Sequence, residues 1–487
     1  MKRLISSLIL TSGLFSLSSL LIQASPADDR KGVQASTADD RKGAQAVTPP
    51  NIIYINIDDL GWADLGYNGS TFYETPNIDR FASQSMNFTN GYAPAANCAP
   101  SRACCLTGQW TPRHGVYTVN NSDRGKASTR KLIPTKNTLH ISNDNPTIGD
   151  ALKAGGYHTA TMGKWHVTKD PLKNGFDINI GGTQAGGPYN GGYHSPFKYP
   201  NLEEKEPGVY LTDRLTDEAI RYVSDTSKRP FFLYLPYFAI HTPIQGKKEK
   251  IEHFKKKIKP GSGQKNPEYA AMISSLDDNI GRLMKTLDEQ GLSDNTLVIF
   301  TSDNGGVYKL SQQKPLRAGK GAYYEGGIRE PFLIRWPAKV KAGKNPTPVV
   351  GIDFFPTLLD AAKVKPPKGK VLDGLSLLPE LTGSGKLASR ALYWHFPIYL
   401  QGGNSDCQDG IFRTRPGSAI RHGDWKLIEY FENGDLELYN LAKDEGEQKN
   451  LASSHPEKTQ ELLGMLKSWR KQTKAPVPSQ LNPKFKP

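Results

Sequence analysis

Two pairs of oxygen-bearing side chains sit where apolar runs stop. Asn51 to Ile57 is rich in Ile and ends at Asp58-Asp59-Leu60-Gly61, and Thr296 to Thr301 ends at Asp303-Asn304-Gly305-Gly306. Each run reads as a buried parallel strand that delivers polar residues to its C-terminal end. An Asp pair alone serves equally well as a turn or helix cap. Two such ends together give an all-oxygen set, Asp58, Asp59, Asp303 and Asn304, which suits Ca²⁺ or Mg²⁺ and, with no His or Cys, suits zinc poorly. Cys98 precedes Pro100 and the segment Ser101-Arg102-Ala103, which reads as the first turn of a helix, so Cys98 falls at a positive N-terminus that favours an anion. Cys104 and Cys105 fit ordinary buried thiols better. His166 follows the strand His158 to Met162 on a Gly163 turn, and His241 follows Phe231 to Ile240, where Pro236 predicts a bulge or an early break.

The elements that must position these groups alternate. Helix signals lie at Thr75-Pro76, at Asn145-Pro146 with a stop at Gly155-Gly156, and over Pro267 to Glu289, which carries Met272, Ile273, Leu276, Ile280, Leu283, Met284 and Leu287. Strands alternating with helices predict an α/β fold with a mostly parallel sheet covered by helices on both faces. After about residue 385 the pattern changes to short runs, Ala391 to His395, Ser418 to Arg421, Trp425 to Tyr430 and Leu436 to Asn440, with a hairpin turn at Asn433-Gly434. An amphipathic helix, Pro456 to Lys471, should pack on that small antiparallel sheet. The expected organisation is a catalytic domain over 50–385 and a C-terminal α+β subdomain over 386–487.

Residues 1–24 have the layout of a signal peptide: Lys2 and Arg3, a Leu/Ile/Ser-rich stretch from Leu4 to Ile22, and a small residue at Ala24. The many Ser residues, and the lack of a following Cys for a lipid, argue against a stable membrane anchor. Export to the periplasm or the medium follows. Residues 25–49 repeat ADDRKG at Ala27 to Gly32 and Ala38 to Gly43 in a polar setting, the composition of a flexible linker. The leader holds two of the cations behind the formal charge of +14. The remaining excess favours polyanions, but no zinc-finger, RRM or basic-zipper pattern points to nucleic acid. Four cysteines, two of them adjacent, do not make the framework of a small disulfide-rich domain.

The segment Cys98-Ala99-Pro100-Ser101-Arg102-Ala103-Cys104-Cys105-Leu106-Thr107-Gly108 resembles the signature of the type I, formylglycine-dependent sulfatases, arylsulfatase-like members of the alkaline phosphatase superfamily: Cys-x-Pro-Ser-Arg followed by Leu-Thr-Gly. Other blocks of that family follow in the expected order: the Asp58-Asp59 turn, Gly163-Lys164-Trp165-His166, His241-Thr242-Pro243, Asp303-Asn304-Gly305, and Lys320 ahead of Glu325-Gly326-Gly327. The resemblance implies an alkaline phosphatase-like sheet and oxidation of Cys98 to formylglycine (3-oxoalanine) by a maturation enzyme. It implies one calcium ion, held by Asp58, Asp59, Asp303, Asn304 and the modified Cys98. Arg102 would hold the formylglycine and the metal cluster, while Lys164 and Lys320 would contact sulfate oxygens. By the same analogy His166 takes the proton when the aldehyde is regenerated, and His241, with Lys320, protonates the leaving alcohol. The chemistry is coherent, because a hydrated aldehyde offers one hydroxyl to attack sulfur and a second whose deprotonation expels sulfate. The alcohol of a sugar is a poor leaving group and needs an acid.

Candidate substrate contacts are Lys164, His194, His241 and Lys320. His194 closes a Gly/Tyr/His-rich loop, Gly181 to His194, that lacks core periodicity and could select a sugar. Arg413 and Arg415 are further candidates for neighbouring charged sugars. His114 lies just beyond the signature, where a structural hydrogen bond explains it as well as a pocket role. The lysine-rich run Lys247 to Lys259 reads as a solvated basic helix or as a guide for a sulfated polymer. The expected activity is sulfate removal from a sulfated polysaccharide or oligosaccharide. Two competitors stand beside it: a phosphodiester or phosphonate monoester hydrolase using the same modified Cys, and a catalytically silent protein that binds sulfated glycan.

Overall fold

The apolar runs form the heart of an eight-stranded sheet in a computed structural model that describes residues 48–486. The leader expected over 1–24 and all but the last two residues of the linker expected over 25–49 fall outside the described residues. In chain order the strands are β1 (Asn51–Ile57), β2 (Met86–Phe88), β3 (His158–Met162), β4 (Ile178–Ile180), β5 (Phe231–Pro236), β6 (Thr296–Ser302), β7 (Phe332–Arg335) and β8 (Gly343–Asn345). They lie in the order β8-β2-β7-β6-β1-β5-β3-β4. The five strands from β6 to β4 are mutually parallel, and β7 runs antiparallel to both of its neighbours.

Both faces of the sheet are covered. Side chains of β1 alternate between them, with Ile53, Ile55 and Ile57 in one apolar cluster and Ile52 and Tyr54 in the other. The first cluster receives the helix Pro267–Glu289, through Met272, Ile273, Leu276, Ile280, Leu283 and Leu287. The second receives the helix Cys98–Thr107, through Ala99, Ala103, Cys105 and Leu106. The strand after Phe231 stops at Pro236, as its missing N–H requires. One helix start differs from expectation. The helix ending at Ala154 begins at Ile148, because Thr147 caps Gly149 and Asp150 while Asp150 caps Thr147 in return; Asn145-Pro146 lies just outside it.

The C-terminal sheet comprises β9 (Ala391–Phe396), β10 (Gly417–His422), β11 (Trp425–Tyr430) and β12 (Asp435–Asn440), antiparallel in that order. The helix Pro456–Thr473 packs on it through Leu462, Leu463, Leu466 and Trp469. Their cluster also takes in Cys104 and Tyr92, so the helix that begins at Cys98 is gripped from both sides. The adjacent thiols Cys104 and Cys105 point into different clusters. No helix among the described residues is long and apolar enough to cross a membrane.

Candidate active site

Parallel register brings four strand exits to one edge. β1 releases Asp58 and Asp59, both buried, and Asp59 adopts φ 64°, a left-handed conformation that a residue with a side chain holds only under constraint. β6 pairs with β1 up to Ile57 opposite Ser302, so Asp303 and Asn304 emerge beside the first pair. The Asp59 N–H donates to Asp303 Oδ1 at 3.3 Å, and Asn304 Nδ2 donates to Asp59 Oδ1 at 2.8 Å.

The third exit depends on glycine. Gly163 has φ 123°, and a Cβ there would stand 2.0 Å from the Pro236 carbonyl oxygen. Beyond this turn Lys164 Nζ donates to Asp58 Oδ2 at 2.7 Å, with both side chains fully buried. His166, at φ 61°, is buried and its Nδ1 has no partner. Beyond β5, His241 Nδ1 lies 2.7 Å from the Thr242 carbonyl and donates to it, which turns Nε2 inward to 3.9 Å from Asp59 Oδ2. Lys320 Nζ donates to Asp59 Oδ1 at 2.6 Å.

The signature helix supplies the remaining groups. Asn97 caps it, its Oδ1 accepting from the Cys98 N–H at 3.0 Å and lying 3.7 Å from Sγ. Arg102 is four residues on, on the same face. Its Nε donates to Asp303 Oδ2 at 2.7 Å and its Nη1 to the Lys164 carbonyl at 2.9 Å, while Nη2 stands 4.0 Å from Asp58 Oδ1. One guanidinium thus ties together three of the four exits.

The electrostatics follow from burial and pairing. Burial lifts the carboxyls of Asp58 and Asp303 despite Lys164 and Arg102 beside them. At Asp59 the same burial is outweighed by Lys320, His241 and Lys164, and its carboxyl falls well below the usual range. Burial also raises the Cys98 thiol, so an unmodified Cys98 is a poor source of thiolate. His166 is driven well below its ordinary value by burial and then Lys164, and His241 is brought down to about 4 by the same causes.

The oxygen set fits a hard cation. Asp58 Oδ1 and Asn304 Oδ1 are buried with no hydrogen-bond partner, and orphaned acceptors of this kind are costly unless something positive meets them. Ligand atoms of Asp58, Asp59 and His241 lie within 4.8 Å of one another, so an imidazole stands closer to this set than the sequence reading allowed.

All ten expected catalytic and metal-site residues therefore meet at one place. A cavity of about 760 Å³ opens onto them, lined by Asp59, Cys98, His166, His241 and Lys320. The expected contact His194 is not among its lining residues: its Nε2 lies 3.2 Å from the Gly246 carbonyl and its ring packs on Tyr210. The loop it closes does reach the cavity, through Gln184, Ala185, Gly186 and Tyr189. Arg413 lines the cavity, whereas Arg415 is held in ion pairs with Asp409 and Glu432. His114 Nδ1 accepts from the Val116 N–H and its Nε2 contacts Cys104 Sγ, a structural arrangement. In the lysine-rich run, Lys247, Lys250, Lys255 and Lys257 are paired with Asp213, Asp278, Glu252 and Glu74, and none of the run lines the cavity. Sequence reading missed Asn97, Arg124, His140 and Lys169. Only Asn97, next to the signature helix, carried a local signal, that of an N-cap.

Comparison with known proteins decides the family. Residues 50–364 match the family described as Sulfatase. The chain belongs to the sulfatase family. As a sulfatase it is a sulfuric ester hydrolase, and residues 319–474 also match the family described as N-sulphoglucosamine sulphohydrolase, C-terminal. The sulfatase is 33% identical to a protein named Sulfatase from Formosa agariphila, over 88% of this chain and 90% of that one. It is 30% identical to an N-acetylgalactosamine-6-O-sulfatase from Bacteroides thetaiotaomicron, over 86% and 93% of the two chains. The solved structure of Ps i-CgsB in complex with k-i-k-neocarrahexaose resembles it with a TM-score of 0.71 at 30% identity, over 86% of this chain and 92% of that one.

Proposed function

We propose that this sulfatase hydrolyses sulfate esters of a sulfated carbohydrate, a polysaccharide or its oligosaccharides, outside the cytoplasm, with formylglycine made from Cys98 by a maturation enzyme and with one calcium ion. The observation that carries the reading is the convergence of Cys98, at a helix N-terminus, with the buried strand-end pairs Asp58-Asp59 and Asp303-Asn304 and the cations Arg102, Lys164 and Lys320. The relative named N-acetylgalactosamine-6-O-sulfatase and the neighbour in complex with k-i-k-neocarrahexaose support a glycan substrate.

Asp58, Asp59, Asp303 and Asn304 would hold the calcium, and the ion would supply positive charge against the transferring sulfate. The hydrated aldehyde would supply the paired hydroxyls that let the nucleophile be sulfated and then restored. The protein's own groups do the rest. Arg102 fixes Asp303 and the Lys164 backbone, so it positions the cluster. Lys320, whose charge is secured by Asp59 against the cost of burial, offers a cation to a sulfate oxygen at the cavity surface. His241 presents Nε2 to the cavity, where an incoming anion would favour its protonated form and hence proton delivery to the leaving oxygen. His166, kept neutral by burial and Lys164, is suited to accept a proton. In this reading residues 50–385 carry the chemistry, and 386–487 brace it and contribute Arg413 to the cavity wall.

The test is sulfate release from defined sulfated mono- and oligosaccharides by protein co-produced with a maturation enzyme. Cys98→Ala is expected to fold and to lose turnover. Equal rates in wild type and Cys98→Ala would remove the nucleophile from the scheme.

A further inference from the structure

The cavity is far more cationic than one sulfate requires. Four cationic side chains line it, Arg124, Lys169, Lys320 and Arg413, against one carboxylate, Asp59. Asp59 is already engaged by Lys320 and Asn304. Arg413 projects from the short strand Phe412–Thr414, whose alternation buries Phe412 and Thr414 and turns Arg413 to the cavity. Its guanidinium makes only long contacts, both 3.4 Å, to the carbonyls of Gly402 and Lys320. Arg124 likewise makes one 3.4 Å contact, to the Val119 carbonyl. Among the described residues neither arginine has an ion-pair partner, while Arg415, two residues away, has two. Burial disfavours the charge of Arg413, the Asp59 carboxylate across the cavity offsets only part of that cost, and the neighbouring Arg124 adds to it. Two like charges placed together with no acid paired to either lose their mutual repulsion when an anion enters between them.

We propose that Arg413 and Arg124 form a second anion subsite beside Lys320, so that the preferred substrate carries another acidic group, a sulfate or a carboxylate, on the same sugar or the adjoining one. The inference rests on the sulfatase reading for the first anion. The Arg413 guanidinium lies 3.4 Å from the Lys320 carbonyl, which places the two subsites side by side, so the spacing of the two anions becomes selective. Arg's planar fork is suited to both oxyanions.

The experiment uses three probes: N-acetylgalactosamine 6-sulfate, its 4,6-disulfate, and a disaccharide joining a uronic acid to the 6-sulfated sugar. Binding to full-length Cys98→Ala protein is measured by calorimetry, and turnover is measured with the mature enzyme. At least one doubly anionic probe is expected to bind tenfold or more tightly than the monosulfate, and whichever it is identifies the second group as sulfate or carboxylate. Arg413→Gln, in the Cys98→Ala background, is expected to erase that ratio, and Arg413→Lys to restore part of it. In the mature enzyme the loss should appear in KM more than in kcat. Equal affinity for all three probes, or a ratio that survives Arg413→Gln, would overturn the subsite. Selective binding without sulfate release by the mature enzyme would instead overturn the proposed hydrolysis of these sulfate esters and leave the subsite standing.

Discussion

Removing the ammonium of Lys426 tests how the C-terminal sheet supports the site. Lys426 projects from β11, its side chain is fully buried, and its Nζ lies 2.9 Å from Glu325 Oε1 and 2.8 Å from Glu447 Oε1. Glu447 Oε2 also accepts the Glu325 N–H at 2.6 Å, and Glu325 Oε2 accepts the Tyr92 hydroxyl at 2.7 Å. Lys426→Met keeps most of the volume and leaves two buried carboxylates facing each other. Breaking a buried pair in this way costs about 3–5 kcal/mol. Burial already lifts the Glu447 carboxyl, so it should take up a proton in the variant and set the loss near the lower end, about 3 kcal/mol. The consequence reaches the active site because Glu325 opens the short helix Glu325–Ile328, and Gly305, next to Asn304, donates its N–H to the Gly327 carbonyl. The assay is urea denaturation, with unfolding rates where the transition is irreversible. Sulfate release is followed alongside. A companion Lys426→Met/Glu447→Gln variant should recover part of the loss by removing one carboxylate. A loss below about 1 kcal/mol would refute Lys426, Glu325 and Glu447 as a buried, mutually dependent charge set.

Chelation is expected to abolish turnover of the mature enzyme, with calcium restoring it better than zinc; calcium should also raise the thermal midpoint of Cys98→Ala protein, and no shift would count against the oxygen set as a cation site. Arg102→Lys keeps the charge but cannot reach Asp303 and the Lys164 carbonyl together, so kcat should fall by about 10²-fold; near-normal kcat would refute its positioning role. His395 is buried between Ser418 and the Pro476 carbonyl, and burial brings it down to about 3. The folded protein keeps it neutral while the unfolded chain takes up a proton below about pH 6.5, so its contribution is present above that pH and falls as pH drops, by about 2–3 kcal/mol at pH 4.5. His395→Gln should flatten that part of the pH–stability curve, and an unchanged slope would exclude the assignment.

Much of the site was legible because its signals are local. An apolar run ending in Asp58-Asp59, a Gly163 turn before Lys164, and Pro100 two residues after Cys98 each report the conformation of a few consecutive residues, which chain sterics and burial periodicity dictate. The helix over Pro267 to Glu289 was readable for the same reason. The stop at Pro236 was too, since a missing N–H acts wherever the strand lies.

What the sequence determined, then, is which residues stand at strand ends and at the start of the signature helix, and in which order. Only the tertiary structure decided which of them meet. Asp59 and Asn304 bond across 245 positions because β1 and β6 are neighbours in register, and no local pattern encodes that pairing. The same holds for side-chain direction. Arg413 and Arg415 carry equal charge in one short segment, yet one lines the cavity and the other is neutralised by Asp409 and Glu432. His194 looked available until packing against Tyr210 and Gly246 turned it aside. Long-range packing sets these directions, because a side chain goes where its neighbours leave room and partners, and those neighbours come from remote parts of the chain.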